Sequence, residues 1–225
     1  MQAGNALYRT IDDLPATLPV FPLTGALLLP RTQLPLNIFE PRYLAMVDAA
    51  LAGQRLIGMI QPAIGQADDA RKPALARVGC AGRITSFQES GDGRYLISLQ
   101  GVARFSVTSE LDTITPFRQA AVDFTPYARD LMQGEGEAEV DRAGLLKAFR
   151  AYLDAHGMDA DWDSVDNAET EVLVNALCMM SPYGAAEKQA MLEAKDLKTR
   201  AETLVAITEI DLARAAGNDG GSTLQ

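Results

Sequence analysis

A chain of 225 residues with 48% hydrophobic residues is globular in make-up and long enough for one large domain or two small ones. Its formal net charge of −10 disfavours generic binding to nucleic acid or to anionic membrane, since phosphate contacts need Lys and Arg. The charge is one-sided: residues 1–133 hold 12 acidic and 12 basic residues, whereas 134–225 hold 18 acidic against 8 basic, so the whole imbalance lies in the second part.

The first thirteen residues, MQAGNALYRTIDD, lack a basic stretch followed by an apolar core, so no secretory signal is expected. Residues 14–30 are uncharged, but four prolines interrupt them, which argues against a membrane span. The stretch 18–43, LPVFPLTGALLLPRTQLPLNIFEPRY, carries prolines at 19, 22, 30, 35 and 41. Proline fixes φ and donates no hydrogen bond, so the run predicts short, bent strands at 18–23, 27–29 and 34–39 rather than a helix or a central strand. Pro41 then suits the first turn of a helix over 41–52, with Gly53 as its C-terminal cap. A buried strand is predicted at 56–61, followed by a mobile surface loop over 62–74. Next come a strand at 77–88, a hairpin turn at Ser90-Gly91-Asp92-Gly93, and strands at 94–99, 103–108 and 117–124, with Gly101 marking a bulge or bend. Six to eight short strands with one helix and glycines at corners predict a small closed or partly closed barrel.

From about residue 135 the apolar spacing becomes helical. Helices are expected over 140–154, 169–180 and 185–194, and from the N-cap residue Asp196 onward, with 158–166 as an acidic connector holding the single Trp, Trp162. The expected organisation is therefore a barrel domain over 1–133, a helical bundle over 134–215 and a disordered tail over 216–225. Cys80 and Cys178 lie far apart among apolar or small neighbours, which suits buried thiols in a reducing compartment and no disulfide.

Three blocks carry a family resemblance. They are the proline-rich opening at 18–43; VGCAGRITSFQESGDGRYLISLQGVARFSV at 78–107, with Gly79, Ile84, the Asp92-Gly93-Arg94 turn, Gly101, Arg104 and Phe105; and NALCMMSPYGAAEKQAMLEA at 175–194, with Asn175, Leu177, Cys178, Pro182, Tyr183, Glu187, Lys188, Gln189, Leu192 and Glu193. In that order they resemble the Lon protease substrate-binding (N-terminal) domain family, especially its stand-alone bacterial members that lack the ATPase and peptidase domains. The resemblance covers roughly 16–210. It implies an α+β fold, a PUA-like β-barrel followed by a C-terminal helical bundle, and recognition of polypeptide without chemistry of its own.

The residues themselves mark no catalyst. There is no G-x-x-x-x-G-K-[ST] phosphate loop, and the one histidine, His156, sits beside Gly157 where it caps helix carbonyls. A lone histidine excludes histidine clusters and with them most zinc sites. Asp159, Asp161, Asp163 and Asp166 lack the central glycine of a calcium loop and read as a solvated connector. Glu40 and Arg42 read as a local salt bridge, Gly101, Arg104 and Phe105 as a bend and barrel packing, and Lys188-Gln189 as the outer face of a bundle helix. No cofactor is implied.

The leading expectation is a cytoplasmic, non-enzymatic module that binds unfolded polypeptide or a protein partner, in company with a protease in trans. Phe21, Phe39, Tyr43 and Met59 are the apolar residues to inspect for that contact, with a strand edge as a further possibility. A small-molecule sensor or adaptor using the barrel or the interdomain cleft is the alternative. RNA binding, which PUA-like barrels perform elsewhere, is favoured here only by the Arg content of the first part.

Overall fold

The computed structural model describes residues 1–63, 65 and 72–219, the last four for backbone alone. The middle of the expected 62–74 loop and the end of the expected tail lie outside the described residues. A two-stranded hairpin, β1 (Gln2–Ala3) and β2 (Ala6–Leu7), precedes a six-stranded sheet. That sheet comprises β3 (Thr17–Pro22), β4 (Gln33–Ile38), β5 (Leu56–Pro62), β6 (Leu75–Glu89), β7 (Tyr95–Leu111) and β8 (Arg118–Asp123). Its order is β4-β7-β6-β5-β3-β8, and a further β7–β8 pairing closes five of the strands into a barrel.

Closure rests on the length of β7. Its first residues, Tyr95 to Gln100, pair with β4, and its last, Ser106 to Leu111, pair with β8, while β6 follows it almost throughout. The two strands expected at 94–99 and 103–108 are thus one strand of 17 residues. Gly101 does not end it. The β6–β7 register shifts between Ala81 and Gly82, which leaves Val102 as the extra residue of a bulge. Here the chain approaches itself closely: a Cβ on Gly101 would lie 2.0 Å from the Leu29 carbonyl oxygen. The backbones of Arg31 and Thr32 hydrogen-bond to Gly101 from the same side. Consequently Leu27, Leu28 and Leu29, expected as a strand, are buried without joining the sheet. Their partners are a barrel rim and the core, not a ladder.

β3 and β5 are parallel, so the chain between them must cross over, and it does so through β4 and α1 (Pro41–Ala52). β4 is an edge strand and carries Pro35, a position where proline is tolerated. Inside the barrel Phe105 is fully buried, its ring lying over Gly58 and Gly79 and edge-on to Phe124 at 6.0 Å. A Cβ on Gly79 would sit 2.5 Å from the Phe105 ring and 2.6 Å from the Met59 carbonyl oxygen, so the ring occupies the space of a missing side chain.

After a 3-10 turn at Thr125–Leu131 come α2 (Arg142–His156), α3 (Trp162–Asn167), α4 (Thr170–Met180), α5 (Ala185–Glu193) and α6 (Leu197–Asp219). The expected helices form within two residues of their predicted ends, but α3 begins inside the connector expected at 158–166, capped by the Asp161 carboxylate accepting from Ser164 N–H. Residues 216–219, expected in the tail, continue α6. Among the described residues no helix is long and apolar enough to cross a membrane. One apolar core runs across residue 134, joining Leu28, Ile38, Met46 and Ile57 of the barrel side to Leu145, Leu177, Met191 and Leu204 of the helices.

Candidate functional site

The polar residues of the three sequence blocks meet where the helices dock on the barrel. Arg104 of β7 donates from Nε and Nη2 to the Asp130 carboxylate at 2.9 and 2.8 Å, stacks over Tyr127 at 4.5 Å, and gives Nη1 to the carbonyls of Leu192 and Ala194 at the end of α5. Gln189 of α5 is buried and donates to Val78 O at 3.2 Å, while Gln61 of β5 donates to the Gln189 side chain at 3.1 Å. Asn175 of α4 donates to Pro30 O at 3.3 Å and accepts from Arg200 at 2.9 Å. These contacts revise two readings: Gln189 faces the barrel rather than the outside of the bundle, and Arg104 is a buried ion-pair residue rather than simple barrel filling. Such groups stay buried because each finds a partner of opposite hydrogen-bonding character. They are joints, not a binding face.

The four apolar residues expected at a contact surface divide unequally. Phe21, Tyr43 and Met59 are 7, 8 and 3% exposed and lie together: Phe21 faces Met59 across the β3–β5 pair, and its ring centroid is 4.1 Å from that of Tyr43 on α1. They hold α1 to the barrel and are almost wholly covered. Phe39, 62% exposed at the end of β4, stands apart from them. Its neighbours Glu40 and Arg42 form the expected local pair, Arg42 Nε donating to Glu40 at 2.9 Å.

A large apolar concavity lies instead in the bundle. α2 contributes Leu145, Phe149, Tyr152, Leu153 and His156; the end of α4 and the following turn contribute Leu177, Met180, Pro182 and Tyr183; α6 contributes Leu204, Val205 and Thr208. Together they enclose about 550 Å³. Local chemistry creates the opening. Pro182 cannot extend α4, and the Ser181 hydroxyl donates back to Leu177 O at 2.6 Å, so the helix stops and turns away. Met180 is left 72% exposed in the lining, to which the exposed Met158 also contributes. Methionine is flexible and polarizable, so such a lining adapts to different apolar shapes.

The groove's polar groups are few, and several are already engaged. The Tyr183 and Thr208 hydroxyls are 2.8 Å apart, and burial pushes the Tyr183 phenol above its usual range. His156 stacks on Tyr152 at 4.2 Å, with Nδ1 2.9 Å from Tyr152 O and Nε2 3.7 Å from Asp211. The helix-capping reading of His156 thus holds. Trp162 packs on the wall: its ring is 5.8 Å from Phe149, with the Arg150 guanidinium 3.7 Å above it. Both thiols are buried, which raises their pKa values, that of Cys178 to about 12. Among the described residues no group of three or more His, Cys, Asp and Glu is arranged to hold a metal.

A family model described as the ATP-dependent protease La (LON) substrate-binding domain matches residues 17–209. The chain belongs to this family. It is 29% identical over 217 residues to Lon protease 2 of Sorangium cellulosum and 27% identical over 199 residues to Lon protease 2 of Myxococcus xanthus. Those matches cover 92 and 84% of this chain but 26 and 23% of the relatives, so the chain spans about a quarter of their length. Two solved structures share the fold. The Lon N-terminal domain protein from Xanthomonas campestris matches with TM-score 0.60 at 22% identity, covering 84% of this chain and 97% of its own. The N-terminal domain of a Mycobacterium avium complex Lon protease matches with TM-score 0.63 at 19% identity, covering 86 and 98%. The matched region of the Lon family is its substrate-binding domain and not its peptidase domain. The groove itself was not read from the sequence; the signal that could have found it is Met180 placed directly before the helix-stopping Ser181-Pro182.

Proposed function

We propose that this Lon-type domain is a non-catalytic polypeptide-recognition module, and that apolar side chains of an unfolded segment enter the bundle groove. One observation carries the reading: an apolar concavity of about 550 Å³ whose Tyr183 and Thr208 hydroxyls are paired with each other and whose lining includes two exposed methionines. Its size is that of a ligand site, roughly 300–1,000 Å³. Its chemistry rewards apolar side chains and offers little to select among them, which suits a receptor for many sequences. The family description, substrate-binding domain, points the same way. Protein substrates are accordingly the partners, and delivery to a protease is the role this reading favours.

The test is a titration of a labelled, permanently unfolded polypeptide followed by anisotropy, with the emission of Trp162 as a local reporter of the groove wall. Saturable binding to the unfolded probe, a Trp162 change at the same midpoint and no response to a folded control of similar charge are expected. Absence of binding up to high micromolar protein, or binding that leaves Trp162 silent and survives loss of Met180, overturns the assignment.

A further inference from the structure

Away from the groove, a smaller polar cavity of about 100 Å³ lies where β7, the turn at Thr125–Leu131, the start of α4 and the start of α6 converge. Among the described residues only two buried side-chain polar atoms lack a hydrogen-bond partner, Arg31 Nε and Arg200 Nη2, and both residues line this cavity. Both orphans are donors, and no buried side-chain acceptor among the described residues is orphaned, although the exposed Glu139 carboxylate also lines the cavity.

The charges follow the same pattern. Six cationic side chains line the cavity against five carboxylates. Arg31 is paired with Glu171, and Arg104 with Asp130. Arg200, 3% exposed, has no carboxylate partner among the described residues: its Nη1 meets the neutral Asn175 and its Nε the Met191 carbonyl. Burial, reinforced by nearby Arg104, lowers its guanidinium to about 10, which still leaves it charged at neutral pH. A buried charge with an unmet donor is costly until something rich in acceptors joins it.

We propose that this cavity is a site for a small oxyanion, of phosphate or carboxylate type, bound by Arg200 and Arg31 between barrel and bundle. A guanidinium edge matches such an anion in geometry as well as charge. Because Arg31 precedes β4 while Arg200 is in α6, the bound anion would cross-link the two parts of the chain and raise the temperature at which they separate.

The experiment titrates the whole chain with inorganic phosphate and, separately, with acetate, in a zwitterionic buffer held at constant ionic strength with chloride. Calorimetric binding and thermal midpoint are read together. A saturable single site and a rising midpoint are expected with phosphate, with acetate, or with both; which anion acts identifies the source of the chemistry. Arg200→Gln should weaken binding roughly tenfold or more, the loss expected of one charge-assisted hydrogen bond. Lys198→Gln, at a half-exposed position of the lining, should weaken it less. If phosphate and acetate act no differently from chloride on the native chain, water fills the cavity and the proposal fails, whether or not the Arg200 variant folds. Binding that persists undiminished in a folded Arg200→Gln chain places the anion elsewhere and also overturns it.

Discussion

Gln61 of β5 and Gln189 of α5, separated by 128 residues in sequence, are joined side chain to side chain at 3.1 Å in a fully buried setting. Gln61 also accepts from Gly25 N–H at 2.9 Å and donates to Ala185 O at 3.0 Å. Its amide is therefore spent on holding a barrel loop and a bundle helix at once. Replacing Gln61 by Leu strands the Gly25 donor and the acceptors of α5. The expected loss is about 1–3 kcal/mol, read as a lower urea midpoint. An unchanged midpoint would mean that this joint carries no stability.

The Arg104–Asp130 pair should behave more severely. Breaking a buried, bidentate pair from one side leaves the other charge uncompensated, at a cost of about 3–5 kcal/mol. Asp130→Leu is therefore expected to destabilise strongly, and Arg104→Met with Asp130→Leu together less than Asp130→Leu alone. Equal losses in the single and double variants would show that the packing, and not the charge, matters here.

The space over Gly79 predicts a steric effect in the opposite sense from cavity formation. Gly79→Ala places a methyl 2.5 Å from the Phe105 ring and 2.6 Å from the Met59 carbonyl oxygen. Overpacking of this kind costs about 1–3 kcal/mol. Adding Phe105→Leu should recover only part of it, since the backbone clash remains; chemical denaturation of the three variants measures the difference.

Binding variants separate the groove from the barrel surface. Met180→Asp and Met158→Asp change exposed side chains, so the thermal midpoint should hardly move. Affinity for the unfolded probe should fall roughly tenfold, as a charge enters an apolar site. Phe39→Asp, equally exposed but on the other part of the molecule, serves as the comparison. Loss of binding in Phe39→Asp with none in the methionine variants would transfer the function to the barrel.

Acid sensitivity can be assigned at Glu110. Arg118 donates to it from Nε and Nη2 at 2.9 and 2.7 Å, and Lys72 lies 2.8 Å away. The Arg118 hydrogen bonds, aided by Lys72 and opposed by partial burial, hold its carboxyl below the usual glutamate range. A folded-state pKa below the unfolded one means stabilisation that is present above the unfolded value and lost as pH falls through the folded one. The urea midpoint of wild type should exceed that of Glu110→Gln by a constant margin above about pH 6, a margin that shrinks below about pH 4.5. A margin that grows on acidification would reverse the assignment.

The helices could be read from sequence because their ends are local events: Pro41 at a first turn, Asp196 as a cap, Ser181-Pro182 as a stop. Strand extent was less legible. Gly101 has the composition of a break, yet it is small because Leu29 crosses over it, a relation between distant segments. The same limit applied to Phe21, Tyr43 and Met59. An aromatic or methionine beside prolines suits a groove and a core equally, and only the docking of α1 decides for the core. The family signature residues Arg104, Asn175 and Gln189 were visible as a pattern, but their common task appears only when three separate elements meet.

That meeting has a consequence for a chain made one residue at a time. Asn175 reaches back to Pro30 across 145 positions, Glu171 to Arg31 across 140 and Gln189 to Val78 across 111. None of these partners exists when the barrel leaves the ribosome, so a nascent barrel must keep its docking face wet, and its leucines uncovered, until the last helices emerge. Until they do, the barrel carries exposed apolar surface and is prone to associate with other chains.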